Sequence, residues 1–527
     1  MSLALLKSTS IVGAMTLLSR ISGLVRDVVF ANILGDKAVA DVFFVAFRIP
    51  NFFRRIFGEG AFASAFVPVF TEYRTNHSRI ETNQFLELMS GRLGLILLGF
   101  SIIGVVFAPA FVTVIATGFH QDPNKYDLAV QATRIMFPYI FFISFVAMAG
   151  GMLNTCGRFA VPAATPILLN LCMIGAAVFL VPLVDQSPVA LSIGVLVAGL
   201  IQLLFQIPWL RKEGLSIRPR VRRTPQNQVG AEGTATVFRL VLPAIVGVSV
   251  AQINVIVNTI LATFLVTGSV SWLYYSDRLM EFPVGVFGIA LGTAILPHLS
   301  RKYSEDSGGD FAITLDWAMR WVFLVCVPCT AGLVILAQPM VATIFYHGDF
   351  TALGVDMTAR SLIAYSIGMT AIVMVKVLAP GFYAQQNTRT PVRIAMAAMA
   401  LNILFCVALV YPLKHTGLAL ATSLSSIFNA AMLFHLLKRQ GVLRIQPGWL
   451  IFSCRILVAT AMMTGVLLWL KSAPDFWLDA SVWVRAWSLA LLIAVGGVTY
   501  LGTLLIVGVR PKMLWLPDDT DTQETSA

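Results

Sequence analysis

"DVFFVAFRIPNFFRRIFGEGAFASAFVPVF", residues 41–70, sets the problem. Two apolar runs enclose Arg48, Arg54, Arg55 and Glu59, and Asp41 opens the first run. Read as one helix from 38 to 70, the element would be about 48 Å long at 1.5 Å per residue. A hydrocarbon core is roughly 30 Å thick. The element is therefore expected to kink near Pro50 or to continue past a bilayer. Its charges need a polar interior to face.

The rest of the chain agrees with a membrane setting. Of 527 residues, 57% are hydrophobic and only 12% charged. Soluble proteins carry about 25% charged residues. Mean hydropathy is +0.82. Long apolar runs recur from end to end, the pattern of an all-α polytopic membrane protein and not of a barrel with short alternating strands. The start, "MSLALLKSTSIVGAMTLLSR", has no short apolar core before a small-residue cleavage site and reads as a retained helix. "CVPC" at 326–329 has redox or metal spacing, but no second Cys or His cluster accompanies it. His347 in "FYHGDF" likewise lacks neighbouring ligands. No metal, cofactor or catalytic residue is expected.

With about 20 residues per span, fourteen helices fit, at 8–34, 38–70, 86–116, 128–152, 160–182, 188–210, 235–266, 270–298, 312–345, 353–384, 391–411, 415–437, 449–471 and 484–508. Basic residues in the connections fall roughly eighteen on one side against five on the other. The rich side, which includes "RKEGLSIRPRVRRTPQNQ" (211–228), is cytoplasmic by the positive-inside rule. Both termini are then cytoplasmic. Topology accounts for much of the +11 net charge, so no nucleic-acid partner is needed. Anionic membrane lipids suit the basic loop.

An internal repeat appears at an offset of 230. Residues 41–73 align without gaps on "SWLYYSDRLMEFPVGVFGIALGTAILPHLSRKY" (271–303), with Arg48 on Arg278, Phe52 on Phe282, Phe57 on Phe287, Gly58 on Gly288 and Tyr73 on Tyr303. A fainter echo sets Asn170 on Asn402. Six helices separate the copies, so both enter the membrane in the same direction, as two parallel lobes do. The organisation that follows is an N-terminal lobe at 1–210, a basic linker at 211–234 and a C-terminal lobe at 235–440. Helices 13 and 14 occupy 441–510, and a tail at 511–527 reads as disordered.

Asp41, Arg48 and Arg55 are seven apart and share one helical stripe, with Glu59 a turn beyond. Arg20 and Asp27 have the same spacing in "SRISGLVRD" (19–27), and Asp277, Arg278 and Glu281 lie within one turn. Each arginine facing lipid would cost about 2.5–3.5 kcal/mol. Six of them would cost roughly 15–20 kcal/mol, more than the roughly 5–15 kcal/mol that holds a protein folded. They must pair with acids or line a wet cavity. Simple interhelical salt bridges and helix-end anchors are the plainer reading. Arginine outnumbers buried acid in the N-terminal half, however, and is confined to helices 1, 2 and 8. A surplus of guanidinium suits an anion, most naturally a phosphate held by forked hydrogen bonds. Glycines 285, 288 and 292 form a small-residue face for close helix packing.

These motifs resemble a known family. "SRISGLVRD", "ADVFFVAFRIPNFFRRIFGEGAFASAFVPVFTEY" (40–73), "YYSDRLMEFPVGVFGIALGTAILP" (274–297), "GMLNTCGRFAVPAATPILLN" (151–170) and "LAPGFYAQQNTRTPVR" (378–393) look like signatures of the MurJ (MviN) lipid II flippases. These belong to the multidrug/oligosaccharidyl-lipid/polysaccharide exporter superfamily. The resemblance implies an inner-membrane transporter with two six-helix lobes around a cationic central cavity that opens alternately to either side. The substrate would be lipid II, an undecaprenyl-diphosphate-linked disaccharide peptide, moved from the cytoplasmic to the periplasmic leaflet for peptidoglycan biosynthesis. It also implies that Arg20, Arg26, Arg54 and Arg278 match essential arginines and that Asp41 matches an essential cavity acid. Arg48, Arg55, Glu59 and Glu281 complete the set of substrate-binding candidates. Helices 13 and 14 would form a groove for the polyprenyl tail. Other cell-wall synthesis proteins are further candidate partners. Some relatives carry a sodium site with carboxylates in the C-terminal lobe. This chain has Gln252, Asn254, Asn258 and Asn402 in helices 7 and 11 and no carboxylate there, which weighs against sodium coupling.

Two rivals remain. A related exporter of another polyprenyl-linked oligosaccharide or of drugs would share the fold, though a cationic lobe repels cationic drugs. A membrane polyprenyl-phosphate transferase would need an Asp-rich metal motif or a nucleophile–base pair, and the "DD" at 518–519 lies in the tail.

Overall fold

The computed structural model describes residues 3–55, 61–184, 186–222, 224, 227–285 and 308–509. Among them all regular secondary structure is helical. Among the described residues nine helical segments are long and apolar enough to cross a membrane. Their outward faces carry large apolar side chains such as Phe179, Trp483 and Ile506. Such faces suit a hydrocarbon solvent. The chain forms two compact units, Met1–Ser271 with Gly348–Phe350, and Trp272–His347 with Thr351–Ala527.

The first unit contains α1 (Leu3–Leu34), α2 (Ala38–Arg54), α3 (Ala61–Asn76), α4 (Arg79–Val106), α5 (Ala108–Ile115), α6 (Pro123–Met136), α7 (Tyr139–Thr155), α8 (Ala160–Gly175), α9 (Ser187–Lys212) and α10 (Gln228–Thr263). Helix α2 continues through Pro50. Residues 56–60 lie outside the described set, Glu59 with them, and α3 begins at Ala61. Local sequence sets several helix starts. Ser78 and Glu81 form a reciprocal capping box on α4, and Asp122 caps α6 ahead of Pro123. Expected single spans break where a kink intervenes, at Phe107 between α4 and α5 and at Phe137–Pro138 between α6 and α7.

Aromatic stacking joins α3 to α4. Phe66 stacks on Phe62, Phe70 and Phe85, and Tyr73 lies 4.5 Å from Phe85 between ring centres. Helix α10 then closes on this layer, and Tyr73 donates its hydroxyl to Val229 O at 2.6 Å. Gly230 and Gly233 permit the approach, because a Cβ there would strike the Phe85 backbone and the Tyr73 ring. The linker drawn at 211–234 thus ends inside α10. Its first part is also pinned. Asn83 holds Gly214 O and Ser216 N, and Arg220 N donates to Glu87 O at 2.9 Å. By contacts α10 groups with the first unit, whereas the repeat at an offset of 230 predicts it as the opening of the C-terminal lobe.

A helix at 269–285, α11, leads from the first unit into the second. Gly288 and Gly292, Tyr303 and the rest of 286–307 lie outside the described residues, as does the tail from 510. The second unit continues with α12 (Gly308–Ile335), α13 (Ala337–Phe345), α14 (Ala352–Ile367), α15 (Met369–Tyr383), α16 (Arg389–Arg439), α17 (Trp449–Leu470), α18 (Pro474–Asp479) and α19 (Val482–Ile506). The 51-residue run α16 is two arms broken at Lys414, which has φ 52° and ψ −135°. The arms match the two spans expected there. Gly417 allows the reversal, since a Cβ would meet the Leu409 carbonyl.

Side chains fasten α17 and α19 to α12 and α13 at several heights. Asp316 accepts from Trp449 Nε1 at 2.5 Å and Gln446 N at 3.2 Å. Tyr500 donates to Leu324 O, and Lys471 Nζ to Ile335 O. Buried Arg485 donates to Ala342 O and Tyr346 O. Cys326 and Cys329 are free thiols on α12. His347 lies in the α13–α14 connection with Nε2 3.0 Å from Thr343 O, and burial lowers its pKa.

Candidate functional site

The charged stripe of α2 turns toward α10 and the start of α11. Asp41, at 2% exposure, accepts from Gly268 N at 2.7 Å, Ser271 N at 2.9 Å and Ser271 Oγ at 2.7 Å. Two turns on, Arg48 Nη1 donates to Thr259 Oγ1 at 2.6 Å and Val255 O at 3.4 Å. Two more turns on, Arg55 Nη1 donates to Gln252 Oε1 at 3.2 Å. The seven-residue spacing therefore produces an antiparallel ladder, with descending partner numbers. Thr259, Val255 and Gln252 are neutral groups that orient the two guanidinium groups along α10. Arg54 points elsewhere, bonding Asn51 Oδ1 at 2.8 Å within its own helix.

Helix α1 builds a second cluster. Arg26 is buried, at 6% exposure, beside Asp27 at 2%. Its Nε and Nη2 reach Asp27 Oδ1 at 3.0 and 2.6 Å, and its Nη1 reaches Asn170 Oδ1 at 3.0 Å. Asn170, from α8, donates its amide to Ser22 Oγ and Ser19 O. That fixes which end of the amide faces the guanidinium. Arg20 is half-exposed and makes no hydrogen bond or ion pair among the described residues. In the second unit, Arg278 donates to Glu281 Oε2 at 2.8 Å, with the Tyr274 ring 5.0 Å from the guanidinium carbon.

Thus Asp41, Arg48 and Arg55 share one ladder, while Arg26, Arg20 and Arg54 stand on other faces. Sequence reading gave Asn170 no role beyond an echo and overlooked Thr259 and Ser271. Their partners lie 144 to 230 residues away. No periodicity signals such distances. Among the described residues no group of His, Cys, Asp or Glu could hold a metal ion.

Membrane-spanning helices that hold arginine, aspartate and amide side chains in ordered networks mark a polytopic transporter. The chain belongs to the MurJ family, whose model, described as "Lipid II flippase MurJ", matches residues 30–485. A Vibrio cholerae relative described as "Probable lipid II flippase MurJ" is 45% identical over 518 residues, covering 97% of each chain. The Burkholderia cenocepacia "Lipid II flippase MurJ" is 38% identical over 500 residues, covering 95% of this chain and 96% of that one. The solved structure "Lipid II flippase MurJ, inward closed conformation" aligns with TM-score 0.78 at 26% identity, covering 94% of this chain and 98% of the other. An inward-facing multidrug MATE transporter aligns with TM-score 0.65 at 16% identity, a likeness of fold alone.

Proposed function

We propose that this protein is a lipid II flippase of the bacterial inner membrane. It carries the undecaprenyl-diphosphate-linked disaccharide peptide from the cytoplasmic to the periplasmic leaflet by alternating access. The observation that carries this reading is full-length membership of the MurJ family. The arginines support it physically. A diphosphate offers paired anionic oxygens, and a guanidinium fork meets them with two hydrogen bonds. Arg20, with no partner among the described residues, is the readiest contact. Arg26, Arg54 and Arg278 join it, Arg48, Arg55 and Asp41 brace the helices, and Glu59 and Glu281 complete the set. Depleting the protein in its host should remove periplasmic lipid II while cytoplasmic synthesis continues. Unchanged periplasmic lipid II would overturn the assignment.

Within this reading the chain has fourteen spans, as two parallel six-helix lobes at 1–210 and 235–440 and two further helices. The 211–234 linker and both termini are cytoplasmic, by the excess of basic residues. Membrane lipids and other cell-wall synthesis proteins are the further partners. Ser216 is half-buried and bonded to Asn83 and Glu87, so exposed Arg222 is the better labelling position. An Arg222→Cys variant should react with an impermeant maleimide only after the membrane is permeabilised. Reaction in intact spheroplasts would reverse the orientation.

Helices α17 and α19 guide the polyprenyl tail. Gly497 is exposed with open space beside it, whereas Gly496 faces Leu467, 3.2 Å from where its Cβ would stand. Gly497→Trp should slow transport while headgroup binding and folding persist. Gly496→Trp should instead force α17 and α19 apart and lower the yield of folded protein. Normal transport by a well-folded Gly497→Trp protein would remove the groove from the mechanism.

A further inference from the structure

The second unit contains a partly open cavity of about 490 Å³, walled by α12, α14, α15, the second arm of α16 and the start of α17. Met319, Met374, Ala430, Phe434 and Trp449 line it, and Thr370 is its one polar side chain. Water has too few partners there to settle. The cavity's apolar lining and its opening suit a hydrocarbon chain.

The mouth is built and charged. Trp449 is fixed by its bond to Asp316, and the Arg320 guanidinium lies 5.6 Å from its ring centre. Arg320 is itself bonded to Asp316 Oδ2 and Pro447 O. Lys438 stands one turn beyond Phe434 on the same helical face, Arg439 follows it, and Arg444 precedes the lining residue Ile445. All three are exposed, and none forms an ion pair among the described residues. The sequence holds no Asp or Glu from 357 to 474, so no acid from that stretch opposes them.

We propose that this cavity binds one acyl chain of an anionic membrane phospholipid, with the lipid phosphate held by Lys438, Arg439 and Arg444. The volume is comparable with that of a single acyl chain. A polyprenyl tail is several times larger and would not fit within it. The bound chain fills the space between α17 and the helices it leans on, so the lipid is part of the packing that sets the stance of α17. The basic cluster selects the headgroup, since each Lys or Arg near an anionic lipid surface contributes on the order of fivefold in affinity.

The test uses the full-length protein in phosphatidylcholine vesicles doped with phosphatidylglycerol or phosphatidylcholine that bears a photoactivatable diazirine near its chain end. Cross-linked peptides are mapped by mass spectrometry. The expected result is labelling of Met319, Met374 and Phe434, on the order of a hundredfold stronger from phosphatidylglycerol when the site is far from saturated. Replacing Lys438, Arg439 and Arg444 together by glutamine should reduce it to the phosphatidylcholine level. Ala430→Trp should abolish labelling at all three residues. Should that variant fail to fold, the glutamine variant, whose changes are all on the surface, decides the matter. Equal labelling by both lipids, or labelling untouched by the glutamine changes, means ordinary bulk lipid only and overturns the proposal. Preferential labelling by a diazirine polyprenyl phosphate would assign the cavity to the transported substrate and overturn it as well.

Discussion

Asp41→Asn is expected to abolish transport and, in the same protein, to lower thermal stability. Three donors converge on the buried carboxylate, two backbone N–H groups and the Ser271 hydroxyl. An asparagine keeps one acceptor oxygen but turns an NH₂ toward donors that then have no acceptor. Leaving a buried donor without its acceptor costs about 1–3 kcal/mol. The Gly268–Ser271 turn leads directly into α11, the helix that carries Arg278. Asp41 therefore acts as a positioning residue at the entry to that helix. A cavity acid that meets the substrate would behave differently, since its amide variant would lose transport at unchanged stability. Unfolding of the purified variant, followed by fluorescence beside a lipid II binding assay, separates the two. A wild-type melting curve would return Asp41 to the cavity.

The sequence was most informative where physics acts locally. Hydrocarbon thickness fixes the length of apolar runs, so the all-helical membrane class was readable from composition and periodicity alone. Cost at membrane depth made the arginines conspicuous, and seven-residue spacing put Asp41, Arg48 and Arg55 on the face where they are found. Legibility failed where a partner comes from far along the chain. Asp316 drew no attention inside an apolar span, because Gln446 and Trp449, which it binds, are 130 and 133 residues away. The second element was expected to kink near Pro50 or to run past a bilayer, and α2 is helical through Pro50 to Arg54. Proline removes one backbone donor, and α2 absorbs that loss without ending. The kinks at Phe107 and Phe137–Pro138 lie inside stretches read as single spans, 86–116 and 128–152, where length and hydropathy alone did not separate one helix from two.

Arg26→Lys should abolish complementation although the net charge is unchanged. The native guanidinium spans two partners at once, with Nε and Nη2 on Asp27 and Nη1 on Asn170. A lysine ammonium is a single compact donor centre that can keep Asp27 but cannot hold Asn170 in the same geometry. Each charge-assisted hydrogen bond contributes about 1.5–3 kcal/mol. Losing the Asn170 bond should therefore weaken lipid II binding roughly tenfold to a hundredfold if the ordered guanidinium is what the diphosphate meets. Stability should fall as well, by about 1–3 kcal/mol, because the buried Asn170 Oδ1 loses its donor while the ion pair with Asp27 survives. The same reasoning extends to Arg278→Lys. Its guanidinium reaches Glu281 with Nη1 while the Tyr274 ring lies near its carbon, a planar packing an ammonium does not reproduce. Asn170→Ala supplies the control for Arg26. It leaves the arginine in place but removes its orienting partner, so it should reproduce part of the lysine defect in binding. Binding measured on purified Arg26→Lys, Arg278→Lys and Asn170→Ala proteins of equal yield decides the question. Wild-type affinity in all three would mean that positive charge alone suffices, and that the fork has no part in recognising the substrate.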